Sequence, residues 1–276
     1  MTADPVHGGQ ATQTDAPELL QALHGRVLVL TLNRPRRRNA LSPTLYAALC
    51  RALDAAANDE AVGALVLTGA DGAFCAGGDV SRMAGSAPQA ASPEERCAQL
   101  RERMRIGELL HTMDKVTIAM MRGPAIGAGL SIALACDLRF ADSTAKFRTG
   151  FLPLALPGDH GGHYYLPRIV GAAKARELYL LSPTLDAAQA LHIGLATQVT
   201  APEELEPLVM RIAAGLAQGP AGATAQMKRN LNDGLCLPLG ELLDAEARRH
   251  VSCAASDEHR EAVQAFLQKR SPRFRH

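Results

Sequence analysis

The chain has 276 residues, 47% of them hydrophobic, which is enough for one domain with a full core and a helical appendage. Its formal net charge of +1 leaves no bulk electrostatic footprint for nucleic acid or a membrane surface. With no Trp and only 4% aromatic residues, no base-stacking platform is evident either.

Met1 to Pro17 is polar and lacks an apolar signal-peptide core, so residues 1–17 are expected to be a disordered tail. The run Arg26 to Asn33 is almost continuously apolar and predicts a strand buried on both sides. Four arginines follow between Arg34 and Arg38. They suit a solvated loop or a phosphate contact. Ser42 before Pro43 predicts a helix start, and Leu45, Leu49 and Leu53 form one apolar stripe along the helix to Asn58. Ala64 to Thr68 reads as a strand and leads into the turn Gly72–Val80, where Gly77-Gly78 carries no side chain.

Ser81 to Ala91 is small, polar and interrupted by Pro, so a mobile flap is expected there. Ser92-Pro-Glu-Glu95 has the form of a capping box opening a helix to about His111. Val116 to Met121 predicts a strand, and Gly123 to Gly129 a second turn nearly free of side chains, before an apolar helical run. A bare turn admits a ligand to the backbone, and a helix start presents unpartnered N–H groups that favour negative charge. Two such turns facing one pocket would aim two donors at one oxygen, as in an oxyanion hole.

Phe140 to Phe147 is expected to be a short β segment, and Arg148 to Gly162 an irregular loop of the kind that carries function. Asp186–Gln189 and Thr200–Glu203 both look like capping boxes. The last third predicts helices near Glu203–Leu216, Ala221–Leu231, Leu239–Ala255 and Asp257–Gln268. Strands alternating with helices, then helices alone, indicate an α/β core over 18–200 and a helical region over 201–276.

The six cysteines are scattered with no C-x-x-C pair, which reads as reduced thiols in a cytoplasmic protein. No metal-ligand spacing accompanies them or the histidines, so no metal is expected. The first strand is not followed by a dinucleotide fingerprint, and Gly123–Gly129 is not followed by the Lys of a phosphate-binding loop.

Phe74-Cys-Ala-Gly-Gly-Asp79 followed by Gly123-Pro-Ala-Ile-Gly-Ala-Gly-Leu130 resembles the crotonase family of enoyl-CoA hydratases and isomerases. Leu32-Asn-Arg-Pro35 with Asn39-Ala-Leu41, Ala135-Cys-Asp-Leu138 and the tail Ala265–Arg270 extend the resemblance to nearly the whole chain. It implies a spiral of ββα turns, a helical C-terminal trimerisation region and assembly as a trimer or hexamer. It implies a coenzyme A thioester as substrate, with no further cofactor. The oxyanion donors would be the amides of Gly78 and Ala128. Substrate contacts would come from Arg38, Ala40, Ala76 and Gly77 and from Asp79, Val80, Phe151 and Lys269, the last shared with Arg270 and reaching a phosphate.

The family's hydratases use two glutamates, and the matching positions here hold Ser131 and Phe151, neither of which moves protons. One carboxylate remains in the loop, Asp159, at the position of an aspartate in family members that shift double bonds or rearrange ring acyl-CoAs. The 4-chlorobenzoyl-CoA dehalogenases carry their nucleophilic aspartate there. Asp159 also suits a helix N-cap for Gly161 or Gly162. The neighbouring Phe151, Leu152, Leu154 and Leu156 are expected to desolvate it and raise its pKa. His160 and His163 read as surface or capping residues. Ser131 lacks a nucleophile elbow and reads as a small helix residue. The resemblance therefore favours enolate chemistry through Asp159, with hydration by an unconventional acid/base, nucleophilic hydrolysis or dehalogenation, and non-catalytic acyl-CoA binding as alternatives.

Overall fold

The computed structural model describes residues 16–81 and 91–274. The expected tail (apart from its last residues) and most of the expected flap at Ser81–Ala91 lie outside the described residues. A six-stranded sheet is assembled from β1 (Leu19–His24), β2 (Val27–Leu32), β3 (Ala64–Gly69), β4 (Val116–Met121), β6 (Leu138–Asp142) and β9 (Gln198–Thr200), in that spatial order. β1 runs antiparallel to β2, and the remaining pairs are parallel. Three short strands form a second sheet in the order β5 (Pro124–Ile126), β7 (Lys146–Arg148) and β8 (Leu185–Asp186).

Helices join these strands. α1 is Pro43–Asn58, α2 Pro93–Thr112, α3 Ala128–Leu134, α4 Gly162–Val170, α5 Ala172–Leu181 and α6 Ala187–His192. The C-terminal helices are α7 (Pro202–Ala217), α8 (Ala221–Asp233), α9 (Leu239–Ala254) and α10 (Asp257–Leu267).

The unbroken apolar character of β3 follows from burial on both faces. Alternate side chains serve two cores. Leu65 and Leu67 join Leu45, Leu49 and Leu53 of α1 in the larger one. Ala64 and Val66 join Leu205, Val209 and Ala213 of α7 in the smaller one. The three α1 leucines have no exposed surface, and each contributes about 2–3 kcal/mol by burial. α7, which the sequence groups with the C-terminal helices, thus closes the outer face of the main sheet.

Helix starts follow their residues. Ser42 accepts from Leu45 N at 3.0 Å, with Pro43 in the first turn. Ser92 with Glu95, and Asp186 with Gln189, form complete capping boxes. The box expected at Thr200–Glu203 does not form, because Thr200 ends β9 and Ala201 is the N-cap of α7 without a side-chain bond. The short β segment expected over Phe140–Phe147 is two strands in two different sheets.

α8 is fixed to the core through Lys228, which is 7% exposed. Its Nζ donates to the carbonyls of Leu110 and Lys115 and to Asp137 Oδ2 at 2.8 Å. Beyond it, Met227, Leu231, Leu239, Leu243, Val251 and Phe266 are exposed apolar side chains on α8 to α10. Among the described residues no helix is long and apolar enough to cross a membrane.

Candidate active site

The first glycine turn is held from below by Asn39. This residue has a left-handed backbone (φ 56°), which Asn tolerates, and is fully buried. Its Nδ2 donates to the carbonyls of Ala70 and Ala73, and its Oδ1 accepts from Arg34 N. Ala76 N donates to Arg38 O, and Leu41 N to Gly77 O, so the arginine loop and the turn are laced together by backbone.

The two turns run side by side. Phe74 N donates to Arg122 O, Cys75 N to Pro124 O, and Ile126 N back to Cys75 O, at 2.7–2.9 Å. The approach is close enough to require glycine. A Cβ at Gly77 (φ 86°) would stand 2.7 Å from Ile126 O and 3.4 Å from Ala128 N, and one at Gly129 would stand 2.6 Å from Cys75 Cβ. Gly78 therefore lies one residue from a backbone in contact with Ala128. Ala128 opens α3, so its N–H has no intrahelical acceptor. Among the described residues neither the Gly78 nor the Ala128 amide has a hydrogen-bond partner. Burial pushes the Cys75 thiol up to about 12, which removes it as a nucleophile at neutral pH.

Asp159 precedes α4 but does not cap it. The N-cap is Gly161, and Gly162 N donates to the backbone carbonyl of Asp159. The carboxylate Oδ1 is buried with no partner among the described residues. Desolvation pushes its pKa up to about 6. Of the four residues expected to desolvate it, Phe151 is 7% exposed, whereas Leu152, Leu154 and Leu156 are 53%, 45% and 42% exposed. Tyr46 and Tyr179 both lie within electrostatic reach of the carboxylate.

His160 corrects a second expectation, since it is 1% exposed rather than a surface residue. Its ring stacks on Tyr46 with planes 1° apart, and its Nε2 is 3.2 Å from the Tyr46 hydroxyl. Burial first, then the Arg103 charge, lowers its pKa to about 4, so it is neutral at physiological pH. His163 is exposed and stacks on Tyr179 at 4.1 Å. Ser131 is buried, and the space a Gly162 Cβ would fill is bounded by Ser131 Oγ and Tyr179 Oη. Tyr46, His160 and Tyr179 escape sequence reasoning because no spacing links them; Tyr46 and His160 are 114 positions apart.

The other expected contact residues divide. Ala40, Ala76 and Gly77 lie in the laced turn, and Phe151 reaches it, with its ring tip 3.9 Å from the Cβ position of Gly127. Asp79 is 8% exposed and bound by Arg34 at 3.0 Å and Ser81 at 2.7 Å. Arg34 also pairs with Glu18 and so faces inward, whereas Arg36, Arg37 and Arg38 face solvent. Val80 is 47% exposed at the rim. Lys269 stands apart: it follows α10, which packs on α9, and its neighbour Arg270 is occupied by both oxygens of Glu261.

A parallel sheet with a smaller one beside it, two abutting glycine turns and a trailing helical region define the crotonase fold, and the chain belongs to the enoyl-CoA hydratase/isomerase family, which it matches over residues 23–276. It is 36% identical over 258 residues to a "probable enoyl-CoA hydratase" of Rhizobium meliloti, spanning 94% of this chain and 98% of that protein. It is 35% identical over 260 residues to the 1,2-epoxyphenylacetyl-CoA isomerase of Escherichia coli, spanning 93% and 97%. A crystal structure of an enoyl-CoA hydratase from Polaromonas superposes with a TM-score of 0.88 at 32% identity, over 93% of this chain and 99% of that one.

Proposed function

We propose that this family member binds an acyl-CoA thioester, holds its carbonyl oxygen between the Gly78 and Ala128 amides, and shifts a double bond with Asp159 as proton carrier. In a 3-enoyl-CoA, the Asp159 carboxylate takes a proton from C2, and the electron pair moves into the thioester carbonyl. The resulting dienolate oxygen accepts from the two amides, each contributing about 3 kcal/mol to barrier lowering. Asp159, whose acquired proton exchanges with water before it is given up, protonates C4 and yields the conjugated 2-enoyl-CoA, with no other cofactor consumed. Arg38, Ala40, Ala76, Val80 and Phe151 border the thioester, and Asp79 acts by anchoring Arg34. Lys269 contributes across a subunit boundary in a trimer or hexamer, which the exposed apolar side chains of α8 to α10 support. The setting is cytoplasmic, with all six cysteines free.

The observation that supports this reading is the desolvated Asp159 carboxylate, its Oδ1 without a partner among the described residues and, like Cys75 of the first glycine turn, within electrostatic reach of Tyr46. A pKa near 6 lets one group both accept and release a proton near neutral pH. Asp159→Asn is expected to lower kcat by about a thousandfold while leaving acyl-CoA affinity within about threefold. Unchanged turnover would remove Asp159 from the mechanism.

Hydration is the second reading, supported by the name of the Rhizobium meliloti relative. It requires a further group to aim water, and Tyr46, stacked on His160, lies within electrostatic reach of Asp159. Hydration of crotonyl-CoA faster than isomerisation of 3-hexenoyl-CoA would favour it.

A further inference from the structure

A groove of about 600 Å³ opens between α1 and α2. One end is Pro43, two residues from Leu41, whose N–H donates to Gly77 O of the first turn. Tyr46 also lines it, and the ring of that tyrosine stacks on His160, the neighbour of Asp159. Tyr46 therefore joins the groove to the candidate site, since both Asp159 and Cys75 of the first turn lie within its electrostatic reach.

Its charges do not balance: three arginines line it against two acids, and of the three Arg51 is exposed to solvent. The two acids that line it, Asp54 and Glu102, both pair with Arg105, at 3.0 Å and 2.8 Å. Arg103 is half-buried and lies 5.5 Å from the centroid of the Tyr46 ring. Among the described residues it has no carboxylate partner and no hydrogen bond. A guanidinium in that position is partly desolvated and compensated only by a ring face. The walls beside it are apolar, from Ala47 and Ala98.

We infer that this groove receives the acyl chain and that Arg103 recognises a carboxylate at its far end, making the preferred substrates CoA thioesters of dicarboxylic acids. The inference rests on the acyl-CoA reading above. A terminal carboxylate forms charge-assisted hydrogen bonds with the planar guanidinium. A methyl-ended chain of the same length fills the apolar wall and leaves Arg103 as it is.

The test is calorimetric titration with adipyl-CoA and hexanoyl-CoA, neither of which can be isomerised. The wild type is expected to bind adipyl-CoA about ten- to hundredfold more tightly, the span of a charge-assisted pair. Arg103→Gln should bring that ratio to about one while holding hexanoyl-CoA affinity within about twofold, and Arg103→Lys should keep part of the preference. Arg101→Gln, an exposed position on the same helix, should change neither. Succinyl- and suberyl-CoA against butyryl- and octanoyl-CoA fix the chain length at which the preference peaks. Equal wild-type affinity for the two thioesters, or loss of both in Arg103→Gln, overturns the assignment of Arg103. Failure of every thioester to bind overturns the acyl-CoA reading itself.

Discussion

Asp159→Asn has a consequence for stability that is separate from catalysis. Desolvation moves this carboxyl from 3.8 to about 6 in the folded protein. Between those pH values the folded chain holds a proton that the unfolded chain has lost, so stability falls as pH rises through the window. At about 1.4 kcal/mol per pH unit of displacement, the loss reaches about 3 kcal/mol above pH 6. His160 runs the other way. Held down to about 4, it contributes stability that is full above its ordinary value and is lost as pH falls toward 4. The absolute stability curve therefore mixes the two, and the difference between wild type and Asp159→Asn isolates the carboxyl. Denaturant titration at several pH values is the assay. Relative to wild type, the variant is expected to gain about 3 kcal/mol between pH 4 and pH 7, on top of a constant offset from burying an amide. A difference that stays flat across that range would refute the claim that Asp159 is desolvated.

Gly77→Ala combines a left-handed backbone with a Cβ 2.7 Å from Ile126 O. It is expected to cost about 2 kcal/mol and to lower kcat by more than about tenfold, since the strain bears on the backbone next to Ala128, as denaturant and steady-state measurements would show. Lys228→Met removes the ammonium joining α8 to Asp137 and two carbonyls, and should lower stability by about 3 kcal/mol at pH 7 with an unchanged denaturant slope. The kcat/KM of the wild type should rise with pH through about 6 as Asp159 ionises and then level off.

The parts of this architecture legible in the sequence are those fixed locally. Ser42-Pro43, Ser92–Glu95 and Asp186–Gln189 each satisfy backbone donors within one turn of helix, so their spacing is sufficient evidence. β1 escapes because only Leu19 of Leu19–His24 is buried. An edge strand with one covered residue carries no alternation to read. Thr200 shows the opposite failure: the motif is present, but pairing of β9 with β6 claims the residue first. In the site, the glycine turns were visible as bare backbone between a strand and a helix. The surroundings of Asp159 were not: the adjoining leucines are exposed, and Tyr46 of α1 and Tyr179 of α5, distant in sequence from the loop or from each other, come within electrostatic reach of it. The burial of His160 likewise depends on Tyr46, a residue one place off the Leu45–Leu49–Leu53 stripe.

The most direct measurement is mass spectrometry of 3-hexenoyl-CoA turned over in deuterated water. If Asp159 withdraws a proton from carbon while two amides hold the oxygen, 2-hexenoyl-CoA should form, recovered substrate should carry deuterium at C2, and both should vanish in Asp159→Asn. Product formed by the wild type and the variant at equal rates, or a wild type that neither exchanges nor isomerises a thioester it binds, would contradict the account.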